Sequence, residues 1–374
     1  MRTFSLAIFA ILVAAHCGAS GREGSSMPQT VESESQGDPG KGLIGARGVL
    51  PADFMLPAAG LFGLVSCDYA KSWYMQDRTY ASLNVGTPSI SCSVWPTQDR
   101  QQLAFAGMID KGGVSIPVVG YASEEVMAGR APRAMAVYMV GGPGGDIAPG
   151  LNDTLPAELV RHGYAVIKLG YSGTRYGSSY PQPDFDIAAR QLATYLKWMA
   201  KAHPELRTVV IGESLGAQIA EHALVPDVAR GLHGIALVHP LMFSPAAALQ
   251  NFKERIGVSE ATDVVMTITT NDGSKDKTGI RSISATTLSR FRSFFPLNKL
   301  NTDLADYIVG NAPVPTLLAY GTADTRIGAD LITSIRARCP GVKVLPLNGV
   351  NHTIAAEEAR AIVAALDELP GRTS

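Results

Sequence analysis

The stretch from Arg207 to Ala223, RTVVIGESLGAQIAEHA, constrains this chain more than any other. Val209, Val210 and Ile211 form a β-branched apolar run, the pattern of a strand buried on both faces. Gly212-Glu213-Ser214-Leu215-Gly216 follows at once, and Ala217 to Ala223 reads as a helix. A strand can pass into a helix that abruptly only through a very sharp turn. Gly212 and Gly216 have no Cβ, so strand and helix can close around that turn. Ser214 is then expected in a strained backbone conformation, its hydroxyl exposed above the sheet. The N–H of Leu215, at the helix start, points to where a developing oxyanion would lie.

A serine hydroxyl is a weak nucleophile unless a base takes its proton and a carboxylate orients that base. The chain offers both, after the serine. Asp324 stands in Tyr320-Gly321-Thr322-Ala323-Asp324, just past the apolar run 316–320. Asp303, Asp306 and Asp330 are its competitors, but they fall in helix-like contexts. His352 stands in Asn348-Gly349-Val350-Asn351-His352, between the last predicted strand and the last predicted helix. Of the seven histidines, His203, His222 and His233 fall in helices or at helix ends. His16 lies in the N-terminal segment 1–19 and His162 precedes a strand. His239 ends a strand beside the serine and is expected to line the pocket. Only His352 combines a loop position with the order Ser, Asp, His.

A second oxyanion donor is expected from Gly141-Gly142-Pro143-Gly144-Gly145, which follows the predicted strand 136–140. The N–H of Gly142 is the choice, paired with that of Leu215. A phosphate-binding loop is the competing reading, but neither G-x-x-x-x-G-K-[ST] nor G-x-G-x-x-G is present there. No Cys/His spacing suggests a metal site, and no cofactor is implied.

Strands are predicted at 136–140, 164–169, 209–211, 234–238, 316–320 and 343–347. Helices are predicted near 154–162, 186–202 (with Asp186 as N-cap), 217–223, 328–338 and 354–368. Strands alternating with helices mean a mostly parallel sheet covered on both faces, with the site at the carboxyl ends of its strands. Residues 50–131 read instead as short antiparallel strands, with a hairpin turn at Asp110-Lys111-Gly112-Gly113. Residues 241–312 interrupt the alternation. They hold helix-like pieces from Met242 to Phe252 and from Ile283 to Phe295, and are expected to form a lid.

The resulting division is a signal peptide at 1–19, a disordered linker at 20–45, a first part of the core at 46–240, the lid at 241–312, and the second part of the core at 313–374. Arg2, the apolar run Phe4 to Ala15 and the small residues Gly18, Ala19 and Ser20 read as an export signal. An uncleaved anchor and lipidation of Cys17 are the alternatives. The expectation is an exported protein, periplasmic or secreted, with no stable membrane insertion after cleavage. In such a compartment Cys67 and Cys92 can close a loop. With 32 basic and 33 acidic residues, no basic excess points to nucleic acid. The sequence sets no oligomeric state.

On these residues the chain resembles the α/β-hydrolase superfamily over about 110–370. The resemblance rests on the G-E-S-L-G turn, the GGPGG loop, Gly321-Thr322-Ala323-Asp324 and Asn351-His352. It implies an α/β-hydrolase fold with an inserted lid, a serine hydrolase mechanism, and a small-molecule ester or short peptide as substrate. The GGPGG loop is similar to that of proline iminopeptidases and related exopeptidases. There a histidine usually precedes the first glycine, and here the residue is Val140. Serine carboxypeptidases pair a similar loop with G-E-S and then an aromatic residue, where this chain has Leu215. Gly170 to Gly177 departs from the Asp-x-Arg-Gly pattern common at that place in iminopeptidases. Esterase and aminopeptidase-like activities therefore both follow from the resemblance. In the second case an acidic group, with Glu254 and Glu260 as lid candidates, would hold the free amino terminus. An acyltransferase using the same triad and a non-catalytic binding module are the remaining readings.

Overall fold

The structure, a computed structural model, describes residues 55–56, 58–67, 90–91, 94–96, 102–111, 114–141, 147, 153–171, 185–240, 265–270, 281–287, 314–324 and 329–370. All belong to one compact unit, Gly42–Ser374. The expected signal, linker and most of the lid lie outside the described residues.

The antiparallel part comes first in the chain. β1 (Met55–Leu56) pairs with β3 (Ile90–Ser91). The short helix α1 (Ala59–Phe62) leads into β2 (Leu64–Ser66), and β4 is Val94–Pro96. β5 (Leu103–Lys111) and β6 (Val114–Ala122) form the expected hairpin, closing at the Lys111↔Val114 pair. A one-turn helix α2 (Glu124–Met127) then precedes the parallel region.

From Ala134 strands and helices alternate. The strands are β7 (Ala134–Met139), β8 (Tyr164–Leu169), β9 (Thr208–Glu213), β10 (Gly234–Val238), β13 (Thr316–Gly321) and β14 (Val342–Leu347). The helices are α3 (Thr154–Arg161), α4 (Phe185–Ala202), α5 (Leu215–Ala223), α6 (Pro226–Ala229), α7 (Ala329–Arg338) and α8 (Ala356–Asp367). The main sheet runs β14-β13-β10-β9-β7-β8-β6-β5-β2, with β4 on β5. Its six strands from β7 onward point the same way, and β6 and β5 run antiparallel to their neighbours. This order and mix of directions is the α/β-hydrolase fold.

Every residue of β7, β8 and β10 is buried, so the sheet is covered on both sides. One helix layer packs α3 against α8, and the other packs α4 against α5 and α6. Val209, Val210 and Ile211, read from the sequence as a doubly buried strand, are fully excluded from solvent. Burial of each stabilises the fold by about 1.5–3 kcal/mol relative to exposure.

Some local expectations shift. Asp186 lies inside the first turn of α4, which starts at Phe185, so it is not the N-cap. There it still faces the positive end of the helix dipole. In the expected lid, β11 (Val265–Thr270) and β12 (Arg281–Thr287) form an antiparallel pair. Ile283 to Thr287 is therefore strand, where helix was expected. The run Ser282 to Thr287 is rich in Ser and Thr, which favour extended backbone over helix interiors.

Among the described residues no helix is long and apolar enough to cross a membrane. Cys67, one residue past β2, is disulfide-bonded. Cys339 is buried and is not part of a disulfide.

Candidate active site

The site lies at the carboxyl ends of β9, β10, β13 and β14. β9 delivers Ser214, which caps α5 with φ 53° and ψ −118°. For a residue with a Cβ this backbone costs about 1–3 kcal/mol, so the surroundings must impose it. They do so by contact. A Cβ on Gly216 would fall on the backbone carbonyl of Met139, and one on Gly212 would lie 2.5 Å from the Ala217 Cα. The Ser214 N–H donates to the Val238 carbonyl at 2.9 Å, tying the turn to β10. The serine makes no side-chain cap to its own helix, so Oγ is left for another partner. Leu215, the first residue of α5, is buried, and by position its N–H has no acceptor within the helix.

β13 delivers Asp324 and the loop after β14 delivers His352. The two loops are stitched together. Thr322 N–H donates to the Leu347 carbonyl at 3.0 Å, and Ala323 N–H to the Val350 carbonyl at 3.0 Å. Gly349 N–H donates to Thr322 Oγ1 at 2.9 Å. The approach is so close that a Cβ on Gly321 would collide with the Val350 carbonyl. His352 bridges the remaining gap. Its Nδ1 lies 2.5 Å from Asp324 Oδ2, and its Nε2 lies 3.0 Å from Ser214 Oγ. The Asp324 side chain is fully buried and that of His352 is 12% exposed. A buried carboxylate is tolerated only when charge-assisted hydrogen bonds replace its hydration.

Ser214, Asp324 and His352 are thus brought together, and Leu215 sits beside the serine. Gly142 lies outside the described residues. Its neighbour Gly141 is described and stands close to the serine, so that a Cβ there would come 3.1 Å from the Ser214 Cβ.

His239 directly follows β10, at the expected strand end. It is fully buried. It adopts φ 45°, and Ser214 and His239 are the non-glycine residues with positive φ among the described residues. The Gly321 N–H donates to its Nδ1 at 3.3 Å, and the same nitrogen lies 3.6 Å from Asp324 Oδ2. Its ring centroid is 5.6 Å from that of His352. Among the described residues its buried Nε2 has no hydrogen-bond partner, which costs about 1–3 kcal/mol.

His239, Asp324 and His352 together have the composition of a metal-binding trio, with ligand atoms within 4.8 Å of one another. Two ligands of a tetrahedral ion at about 2.0–2.2 Å stand roughly 3.4 Å apart. The 2.5 Å between His352 Nδ1 and Asp324 Oδ2 is the length of a hydrogen bond instead.

Two tyrosines brace the turn, and sequence reading did not find them. The Tyr138 hydroxyl, on β7, donates to Glu213 Oε2 at 2.8 Å. Burial first, and then the Glu213 carboxylate, hold that hydroxyl well above the ordinary tyrosine pKa, so it stays a donor. The Tyr171 hydroxyl donates to the Val140 carbonyl at 2.6 Å, just ahead of the glycine-rich loop. Both tyrosines follow or sit in apolar strand runs, where an aromatic residue reads as packing.

Known proteins give a fold likeness only. No family model matches the chain, and no curated protein matches its sequence. The α/β hydrolase GrgF from Penicillium sp. sh18 is 13% identical, covering 75% of this chain and 96% of its own, with a TM-score of 0.49. A highly thermostable carboxyl esterase from Bacillus coagulans is 15% identical, covering 71% and 98%, with a TM-score of 0.49. The thioesterase domain from the curacin biosynthetic pathway is 16% identical, covering 70% and 98%, with a TM-score of 0.47.

Proposed function

We propose that this chain is a serine hydrolase that cleaves a carboxylic ester or amide bond through an acyl-enzyme. The observation that carries the reading is the single imidazole bridging the buried Asp324 carboxylate and the Ser214 hydroxyl. His352 Nε2 takes the Ser214 proton as Oγ attacks the substrate carbonyl carbon. Asp324 holds His352 in the tautomer with its proton on Nδ1 and stabilises the imidazolium that forms. The N–H groups of Leu215 and Gly142 receive the negative charge on the former carbonyl oxygen. Collapse breaks the bond to the leaving group, which departs with the proton from His352. Water, deprotonated by the same imidazole, then releases the acid and restores the serine.

Replacing Ser214 by Ala is expected to lower kcat on the order of 10⁶-fold, by analogy with subtilisin. The measurement pairs p-nitrophenyl esters of rising acyl length with aminoacyl-naphthylamides, Ser214→Ala serving as blank. Turnover by the variant within a few-fold of wild type would sink the mechanism. Ester turnover alone would mark an esterase, and release of naphthylamine a peptidase. A fluorophosphonate that fails to label Ser214 in the folded protein would favour a binding module.

Export is part of the same proposal. The bonded state of Cys67 suits an oxidising compartment. We take Cys92 as its partner. Cys67 directly follows β2, Cys92 directly follows β3, and those strands pack together. Peptide mapping without reduction should recover a Cys67–Cys92 crosslinked pair, and free thiols at both positions would refute the assignment.

A further inference from the structure

We infer that His239 is a positioning residue for the triad: its unprotonated Nδ1 anchors the Asp324 turn and does not compete with His352 for the carboxylate. The inference rests on the serine hydrolase reading given above.

β10 lies between β9, which carries Ser214, and β13, which leads to Asp324. Its last residue, Val238, is in register with Glu213 on one side and Ala319 on the other. His239 therefore follows at the height of both functional loops. Three hydrogen bonds meet there. Ser214 N–H donates to the Val238 carbonyl, and His239 N–H to the Ala319 carbonyl at 2.8 Å. Gly321 N–H donates to the His239 ring. The end of β10 thus ties the nucleophile turn to the acid turn. The left-handed backbone of His239 breaks the strand path at this point. A residue with a Cβ keeps that conformation only where its neighbours over-determine it, and such positions cluster at functional sites.

The ring must choose between two neighbours. Nδ1 faces a donor, the Gly321 N–H at 3.3 Å, and an acceptor, Asp324 Oδ2 at 3.6 Å. A proton on Nδ1 would set two donors against each other and leave the Gly321 N–H without its ring acceptor. It would also offer Asp324 a second histidine donor in competition with His352. With Nδ1 bare, Gly321 is satisfied and His239 does not compete with the short contact from His352 to Oδ2. The proton then sits on Nε2, which is buried without a partner among the described residues. An apolar ring would fill the space without that unsatisfied nitrogen, so packing alone does not account for a histidine here.

The test compares His239→Ala and His239→Asn with wild type. Asparagine tolerates the left-handed backbone, and its Oδ1 can stand in for Nδ1 as acceptor. For p-nitrophenyl acetate, His239→Ala is expected to lower kcat about 10²-fold, the scale of a misplaced catalytic group, with KM nearly unchanged. Labelling of Ser214 by a fluorophosphonate should slow in parallel, and His239→Asn should restore most of both rates. Nitrogen-15 NMR of the histidines in wild type should show His239 protonated on Nε2 and bare on Nδ1. The proposal is overturned if His239→Ala keeps wild-type kcat. It is equally overturned if a folded His239→Asn is as slow as His239→Ala, or if Nδ1 carries the proton. Where neither variant folds, the wild-type spectrum decides. A wild type that neither turns over the ester nor takes the label would defeat the serine hydrolase reading instead, and the tautomer measurement would still stand.

Discussion

The two ends of the same parallel strands each gather polar partners around one carboxylate, and they do so to opposite effect. At the amino end Asp367, the last residue of α8, receives Tyr164 Oη at 2.6 Å and Arg133 Nη1 at 2.9 Å, with His162 Nδ1 at 3.4 Å. Arg133 also lies over the Tyr164 ring. Burial raises the Asp367 carboxyl, but the Tyr164 hydroxyl and Arg133 outweigh it and hold it below its ordinary value. At the carboxyl end Asp324 is more deeply buried and has His352 and His239 around it. Strained backbone at Ser214 and His239 and an unsatisfied ring nitrogen accompany it. One end closes its hydrogen bonds and stabilises the fold. The other holds unfavourable conformations in place, as expected where geometry serves chemistry.

The sharpest way to break this contrast is to replace the carboxylates one at a time. Asp324→Asn should lower kcat about 10⁴-fold, as in other Ser-His-Asp sites where the amide favours the wrong histidine tautomer. An Asp324→Asn enzyme with near wild-type turnover would mean that the carboxyl end is ordinary scaffold.

Acid should separate the two ends next. His222, on the helix that follows Ser214, packs edge-on against Phe185, and burial lowers its pKa to about 4 despite the Gln218 carbonyl, which raises it. Its folded pKa is below its unfolded value of 6.5, so the unfolded chain binds the proton more tightly. Stability should therefore fall as pH drops from 6.5 towards 4, by up to about 3 kcal/mol for this group. The Asp367 contribution has the other window. Its folded pKa lies below 3.8, so its stabilisation is present above that pH and is lost as pH falls through the folded pKa. Urea melts from pH 7 to 4 on wild type and His222→Gln check this. If the variant shows the same loss as wild type over that range, His222 is not its source.

The smallest expected effect is at the amino end. Asp367→Asn should cost about 1–2 kcal/mol, since Arg133 is half exposed and its ion pair is partly screened. Turnover should stay at the wild-type level. A drop in kcat at unchanged melting temperature would show that the two ends are coupled through the strands.

The contrast also separates what the sequence disclosed from what it hid. The parallel strands were legible because doubly buried strands read as unbroken apolar runs, as in Tyr164 to Leu169 and Gly234 to Val238. Ser214 was legible because two flanking glycines announce a turn that few other chemistries need. Asp324 and His352 were legible from loop position and chain order. The backbone of His239 was not legible, because a strand-end residue ordinarily continues the strand path. Its left-handed backbone depends on neighbours that belong to β9 and β13. Tyr138 and Tyr171 were invisible for a related reason, since each hydroxyl partner comes from another strand or loop. In the interrupted region, the Ser- and Thr-rich run around Ile283 carried strand propensity that an apolar helix-like pattern obscured.

The distances in sequence between the triad residues bear on how the molecule assembles. Ser214 and His352 are 138 residues apart, and Asp324 and His352 are 28 apart. The β5–β6 hairpin closes between near neighbours and can form early, because its loop entropy is small. β10, β13 and β14 pair across longer stretches of chain, which cost more loop entropy to close, so acid and base are expected to reach the serine late. In a refolding experiment secondary structure should return well before the ability to react with an acyl donor. On the proposed mechanism, a partly folded chain in which those strands have not docked would have a serine with no base to activate it, and would be chemically silent.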